Sequence, residues 1–185
     1  MPFRRTPMKR TATFGCLFFS VFTLALWAQA PPQMPKPGPE HQRLHYFVGD
    51  WETKTEAKPS PFGPGGNITA KDHNAMLGDF FVLFHSDSTG PMGQQKTVAV
   101  MGYDPKEKVY TYDGFTTSGE RNKAKGTVSG NAWVWTFSGE EQGKPFKGRF
   151  NLTEDSPTAY TFNEEMSIDG GPWTKLEEGK ATKMK

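Results

Sequence analysis

The stretch "EHQRLHYFVGDWETKTEAK", residues 40–58, decides the fold. Its first half has the period of a short amphipathic helix. His41, Leu44, His45 and Val48 fall at i, i+3, i+4, i+7 and form one stripe. Its second half alternates strictly, which is a strand habit. Trp51, Thr53, Thr55 and Ala57 face one way, and Glu52, Lys54, Glu56 and Lys58 face water. The change falls at Gly49, which can take the positive φ that ends a helix. Asp50 then starts a strand, and Trp51 points inward. This predicts a helix over 40–48 lying across one end of a β-structure whose floor is plugged by Trp51.

Downstream of Lys58 the helical period is lost and turn signals recur about every ten residues. Among them are "SPFGPGG" (60–66), "LGD" (77–79), "STGPMG" (88–93), "YDPKEK" (103–108), "SGN" (129–131) and "DGGP" (169–172). The runs between them are rich in Phe, Tyr, Trp, Val and Thr. Ten strands are predicted, starting near 51, 67, 80, 94, 108, 119, 132, 145, 158 and 173. Short loops make consecutive strands pair as hairpins in an up-and-down meander. Each strand carries one dry face. Trp133, Trp135 and Phe137 share one, as do Phe146, Gly148, Phe150 and Leu152. Ten strands escape bare edges by closing. The expected fold is therefore an all-β, antiparallel up-and-down β-barrel with a short N-terminal helix closing one end. The inward set mixes large aromatics with Gly, Ala, Thr and Asn, which favours a partly filled interior over a solid core.

The N-terminal segment reads as an address. Arg4, Arg5, Lys9 and Arg10 precede the uncharged run Ala12–Ala28, which closes on Ala28-Gln29-Ala30. Residues 1–30 are expected to be an export signal peptide, cut near Ala28 or Ala30. The run sits at the short end of the roughly 17–25 residues that span a bilayer, so no stable membrane anchor is expected after cleavage. The expected location is periplasmic or extracellular. Residues 31–39, "PPQMPKPGP", hold five prolines and read as an extended tether. A single domain is expected over 40–185. Four basic residues and no acid leave with the signal, so the net charge of +2 becomes −2. That excludes a basic nucleic-acid footprint. Cys16 is the only cysteine, so the mature chain has no disulfide, thiolate nucleophile or Cys-ligated metal.

A Gly-x-Trp before the first strand of an exported β-meander resembles the lipocalin and fatty-acid-binding superfamily. "EHQRLHYFVGDWE", "MLGDFFVLF", "VMGYDPKEKVYTYDGFTTSGE" and "GTVSGNAWVWTF" resemble more closely the bacterial domain-of-unknown-function family fifteen seventy-nine. The resemblance runs from about Glu40 to the C-terminus. It implies a lipocalin-like barrel and an exported location, and it carries over no catalytic residue. A related haem-binding barrel class has a single axial His late in the chain, whereas this sequence has none after His85. No cofactor is expected.

The candidate ligand-binding residues are Trp133, Trp135, Phe137, Phe150, Tyr112, Glu164, His73 and His85. In "AYTFNEEMSI" Glu164 shares a face with Tyr160, Phe162, Met166 and Ile168, so a carboxyl falls on an apolar face and needs a partner or a raised pKa. His73 and His85 are cross-strand neighbours in a hairpin centred on residues 77–79. Facing inward they would form a site, and facing outward they are surface. His41 and His45 have the i, i+4 spacing of metal ligands but no third ligand beside them, so no metal is expected. No Ser–His–Asp order, phosphate loop or zinc motif is present. The leading expectation is a protein that binds a small, mostly apolar ligand inside the barrel. One alternative is an enzyme using the same cavity, with Glu164 and a His as acid and base. The other is a structural envelope protein without a cavity.

Overall fold

The structure is a computed structural model and describes residues 36–185. The expected signal, and the tether up to residue 35, lie outside the described residues. Helix α1 (Pro39–Leu44) leads into a 3-10 turn (His45–Phe47). Ten strands follow: β1 (Gly49–Ala57), β2 (Gly66–Leu77), β3 (Phe81–Gly90), β4 (Gly93–Asp104), β5 (Val109–Thr116), β6 (Arg121–Ser129), β7 (Ala132–Glu141), β8 (Lys144–Ser156), β9 (Ala159–Ile168) and β10 (Thr174–Lys183). Every consecutive pair is antiparallel, and β1 pairs with β10, so the sheet closes as a barrel. The ten predicted starts fall within two residues of those observed.

The helix starts one residue earlier than expected, at Pro39. Proline suits the first helical position because its missing N–H has no intrahelical partner there. The expected apolar stripe is corrected at its second half. The backbone tightens to 3-10 geometry after Leu44, and that rotation brings Phe47 inward while His45 is left exposed. Gly49 then opens β1 at φ 118°, a value that suits glycine.

The helix end of the barrel is solid. Leu44, Phe47, Trp51, Val82, Met101, Tyr110, Trp133 and Leu152 are all buried there. Each such side chain contributes roughly 1.5–3 kcal/mol of burial. The polar groups of this floor are tied to backbone. Trp51 Nε1 donates to Phe47 O at 2.9 Å, and Asn74 Nδ2 donates to the same oxygen at 3.1 Å. Tyr110 Oη donates to Glu40 O at 3.1 Å. Arg43 reaches from the helix to Glu154 at 2.8 Å, and Glu154 also accepts from Trp133 Nε1 at 2.7 Å. Trp51 thus plugs the floor, as the opening stretch predicts.

The inward glycines are occupied and do not leave gaps. A Cβ on Gly126 would stand 2.6 Å from Trp135, one on Gly148 2.2 Å from Phe137, and one on Gly179 2.5 Å from Phe162. Each of these rings belongs to the residue directly opposite on the neighbouring strand. The missing side chain lets the ring lie flat against the wall. Inward glycine therefore marks a ring at the wall. It is not in itself a sign of the partly filled interior that the sequence suggested.

Candidate functional site

The barrel differs between its two ends. Trp133 is 0% exposed and Trp135 5% exposed, and the two indoles stack 6.0 Å apart with an interplanar angle of 3°. Trp133 lies inside the solid floor, so it does not line open space, and its expected place among the lining residues is corrected. Trp135 marks the boundary, with its ring 6.4 Å from Tyr112. Beyond it, Tyr112, Phe137, Phe150 and Glu164 all face inward and keep intermediate exposure. Phe150 stacks on Phe162 at 5.0 Å. At the far rim Phe62, from the loop between β1 and β2, meets Phe146 edge-on at 5.6 Å, and Phe146 meets Phe137 at 6.4 Å.

Polar groups gather in this upper half. Asp72 faces inward from β2 and accepts from Thr53 Oγ1 at 3.0 Å. Burial pushes its carboxyl above the usual range, against the hydrogen bonds of Ser86 and Thr53. Tyr112 is raised to about 12, first by burial and then by Asp72. Tyr160 is raised further for the same two reasons, so both phenols stay neutral at ordinary pH. Glu164 and Glu177 oppose each other across β9 and β10. Burial is the main cause that raises Glu164 to about 7, and the Glu177 charge adds to it. Glu177 is raised by burial alone. Tyr112, Tyr160, Asp72, Glu164 and Glu177 are deep enough in the protein for these shifts, yet each retains intermediate exposure.

Asp72, Tyr160 and Glu177 are absent from the sequence-based list. Asp72 was legible, because it alternates in step with Ile68, Ala70 and Met76. Glu177 was not. A bulge between Lys175 and Glu177 inserts Leu176 and reverses the alternation.

His73 and His85 are paired in the expected register, but both point outward. Their neighbours Asp72, Asn74, Phe84 and Ser86 take the inward positions, so period-2 geometry puts the histidines on the outer wall. His73 Nδ1 shares a hydrogen bond with Asp50 Oδ1 there. The two histidines are therefore removed from the cavity lining. His41 is buried under the helix, where its Nδ1 accepts from Gly38 N–H at 3.0 Å and its ring packs on Phe80 and Tyr103. With His45 exposed, the i, i+4 pair does not form a metal site. No histidine stands at an inward position on the ladder. The Glu164–His acid–base pair is therefore not assembled, and a haem held by an axial histidine does not fit the interior. The outer wall carries an open groove of about 790 Å³ lined by polar residues such as Lys54, Asn67, Asn151 and Lys180. A smaller hollow of about 380 Å³ surrounds His73 and His85. Neither brings together apolar walls and convergent polar groups, the combination found in the upper barrel.

A closed ten-stranded meander with a helix across one end and a solid floor beneath that helix defines a lipocalin-like β-barrel. The chain belongs to the family of proteins of unknown function DUF1579, which it matches over residues 36–183. Among solved structures it is similar to Rv2717c from M. tuberculosis, with 12% identity and a TM-score of 0.55 over 81% of this chain and 100% of the other. It is also similar to the S-type phycobiliprotein lyase CPES from Guillardia theta, with 8% identity and a TM-score of 0.52 over 79% and 93%. Likeness at these identities establishes the fold alone. No curated protein matches the sequence.

Proposed function

We infer that the chain is an exported binding protein that holds a small, mostly apolar molecule in the upper half of the barrel. The observation that carries this reading is the set of deep but water-reached residues. Phe150, Phe137 and Tyr112 supply apolar wall, and Asp72 and the paired Glu164 and Glu177 supply a few inward polar groups. Concave sites of this composition hold small molecules. The aromatic rim of Phe62, Phe146 and Phe137 gives an apolar entrance. Export rests on the basic start, the uncharged run and the small-residue ending of residues 1–30.

The test is a titration of intrinsic emission with a neutral apolar probe, 1-naphthalenemethanol. Trp135 stands at the boundary of the hollow, so a bound probe is expected to change its emission. Phe150→Ala is expected to alter the affinity at least about threefold while the far-UV spectrum stays that of an all-β protein. No emission change at any attainable concentration, with no bound probe in native mass spectrometry, refutes the binding reading. Export is checked by N-terminal sequencing of the protein from expressing cells. A first residue between 29 and 31 supports it, and a full-length chain in the membrane fraction overturns it.

A further inference from the structure

The interior has an unmet demand for hydrogen-bond donors. Glu164 on β9 and Glu177 on β10 face each other inside the barrel. Among the described residues, neither carboxyl has a hydrogen-bond or ion-pair partner. Asp72, farther round the wall, accepts from Thr53 and Ser86. Asn74 lies two residues from Asp72 on the same inward face and is 5% exposed. Its amide nitrogen is engaged by Phe47 O, while its Oδ1 is wholly buried and has no donor. A buried acceptor left alone costs about 1–3 kcal/mol, and a charged one more. Glu164, Glu177 and the Asn74 oxygen therefore lack a donor, and they come from three different strands.

Among the described residues, no lysine or arginine takes an inward strand position in the middle of the barrel. Following the ladder pairings round the barrel, only two basic residues take inward positions. Lys144 is at the tip of the β7–β8 hairpin. Lys183 is at the helix-end rim, with its ammonium over the Trp51 ring at 5.1 Å. Every other lysine and arginine of the strands takes an outward position, as Arg149 does with Glu165, Arg121 with Asp113 and Lys96 with Asp87. The middle of the barrel therefore presents carboxyls and neutral phenols against aromatic walls, with no cationic partner for an anion. A ligand carboxylate placed there would meet like charge in a poorly solvated space. An ammonium or amidinium would satisfy the carboxyls, and the aromatic rings would also favour it.

We propose that the ligand of this cavity is a cation: a protonated amine or amidine carried on an apolar or aromatic body, with its nitrogen between Glu164 and Glu177. The assignment rests on the binding reading above and sets its chemical class. It also sets this barrel apart from one built to hold a fatty acid, which needs an inward basic group. The raised pKa of Glu164 follows from the same unpartnered burial, and a bound cation would reverse it.

The experiment compares three probes with one naphthalene body at pH 8: 1-naphthylmethylamine, 1-naphthalenemethanol and 1-naphthoate. Affinities are read from Trp emission and checked by calorimetry. The amine is expected to bind at least about tenfold more tightly than the alcohol, and the carboxylate most weakly. In Glu164→Gln and in Glu177→Gln, which keep shape and lose charge, the amine preference is expected to fall to within about threefold of the alcohol. A far-UV spectrum and a cooperative melt like those of the wild type report that each variant keeps the barrel. If the alcohol binds but the amine binds no better, or the carboxylate binds best, the cation assignment is overturned while the cavity reading stands. If the amine preference survives in both variants, the carboxyls are not its cause and the assignment also fails. If none of the three binds, the cavity reading itself falls.

Discussion

Trp51→Ala is the most direct test of the floor. Trp51 is 1% exposed and is packed by Tyr46, Tyr160 and the Lys183 ammonium. A buried tryptophan removes on the order of 200 Å² from water, worth about 5 kcal/mol at ~25 cal/mol per Å². That figure is an upper bound, because the unfolded chain already hides part of the area. The lost Nε1–H bond adds little, since Asn74 still donates to Phe47 O. The helix above cannot easily sink into the gap, because Arg43, Tyr46 and Tyr110 hold it to the wall. The expected loss is about 4 kcal/mol, within the ~3–5 kcal/mol of aromatic truncations in cores. For a domain of this size each kcal/mol moves the melting midpoint by roughly 2–4 °C, so a fall of about 12 °C is expected. Far-UV circular dichroism melts and urea titrations of the two proteins measure it. Probe affinity well below the melt should stay within about threefold of wild type, because Trp51 lies beneath the hollow. A midpoint shift below about 3 °C would refute the floor argument.

Three further outcomes are expected. Glu164 ionises near 7 in the folded protein and near its ordinary value, about 4.5, when unfolded. The folded state therefore holds the extra proton between these values, and stability falls as pH rises through that window, by on the order of 3 kcal/mol once pH exceeds 7. Glu164→Gln should raise the melting midpoint at pH 8 and change it little at pH 4.5, and an equal effect at both would contradict the burial of the carboxyl. Gly148→Ala should destabilise by about 1–3 kcal/mol by pushing on Phe137, and by clearly less in a Phe137→Ala background; simple additivity in urea melts would show that the ring does not lie on the glycine. The double variant His73→Ala, His85→Ala should melt within about 3 °C of wild type and bind the neutral probe unchanged, since it removes only an exposed pair with Asp50.

The sequence determined what depends on local period. Turn residues every ten positions and alternation between them specified ten strands, their consecutive pairing and the dry face of each. The Gly49–Trp51 junction specified the plugged floor. Even the His73–His85 register was legible from the turn at residues 77–79, because a hairpin's length sets which residues meet. The face of that pair was also written, in Ile68, Ala70 and Met76, whose parity sends Asp72 inward and His73 out. Other features depended on residues far apart in the chain. An inward glycine looks like empty space until the opposing strand brings Trp135, Phe137 or Phe162 over it. Leu176 has no feature in the sequence that marks it as a bulge, yet the single extra residue turns Glu177 toward Glu164 and creates the carboxyl pair. The helix stripe shifted from His45 to Phe47 because burial of a phenyl ring against Trp133 and Tyr160 outweighs regular α-helical period over a single turn. Alternation fixes which way a side chain points, and only the closed barrel decides whether it meets a ring, a carboxyl or water.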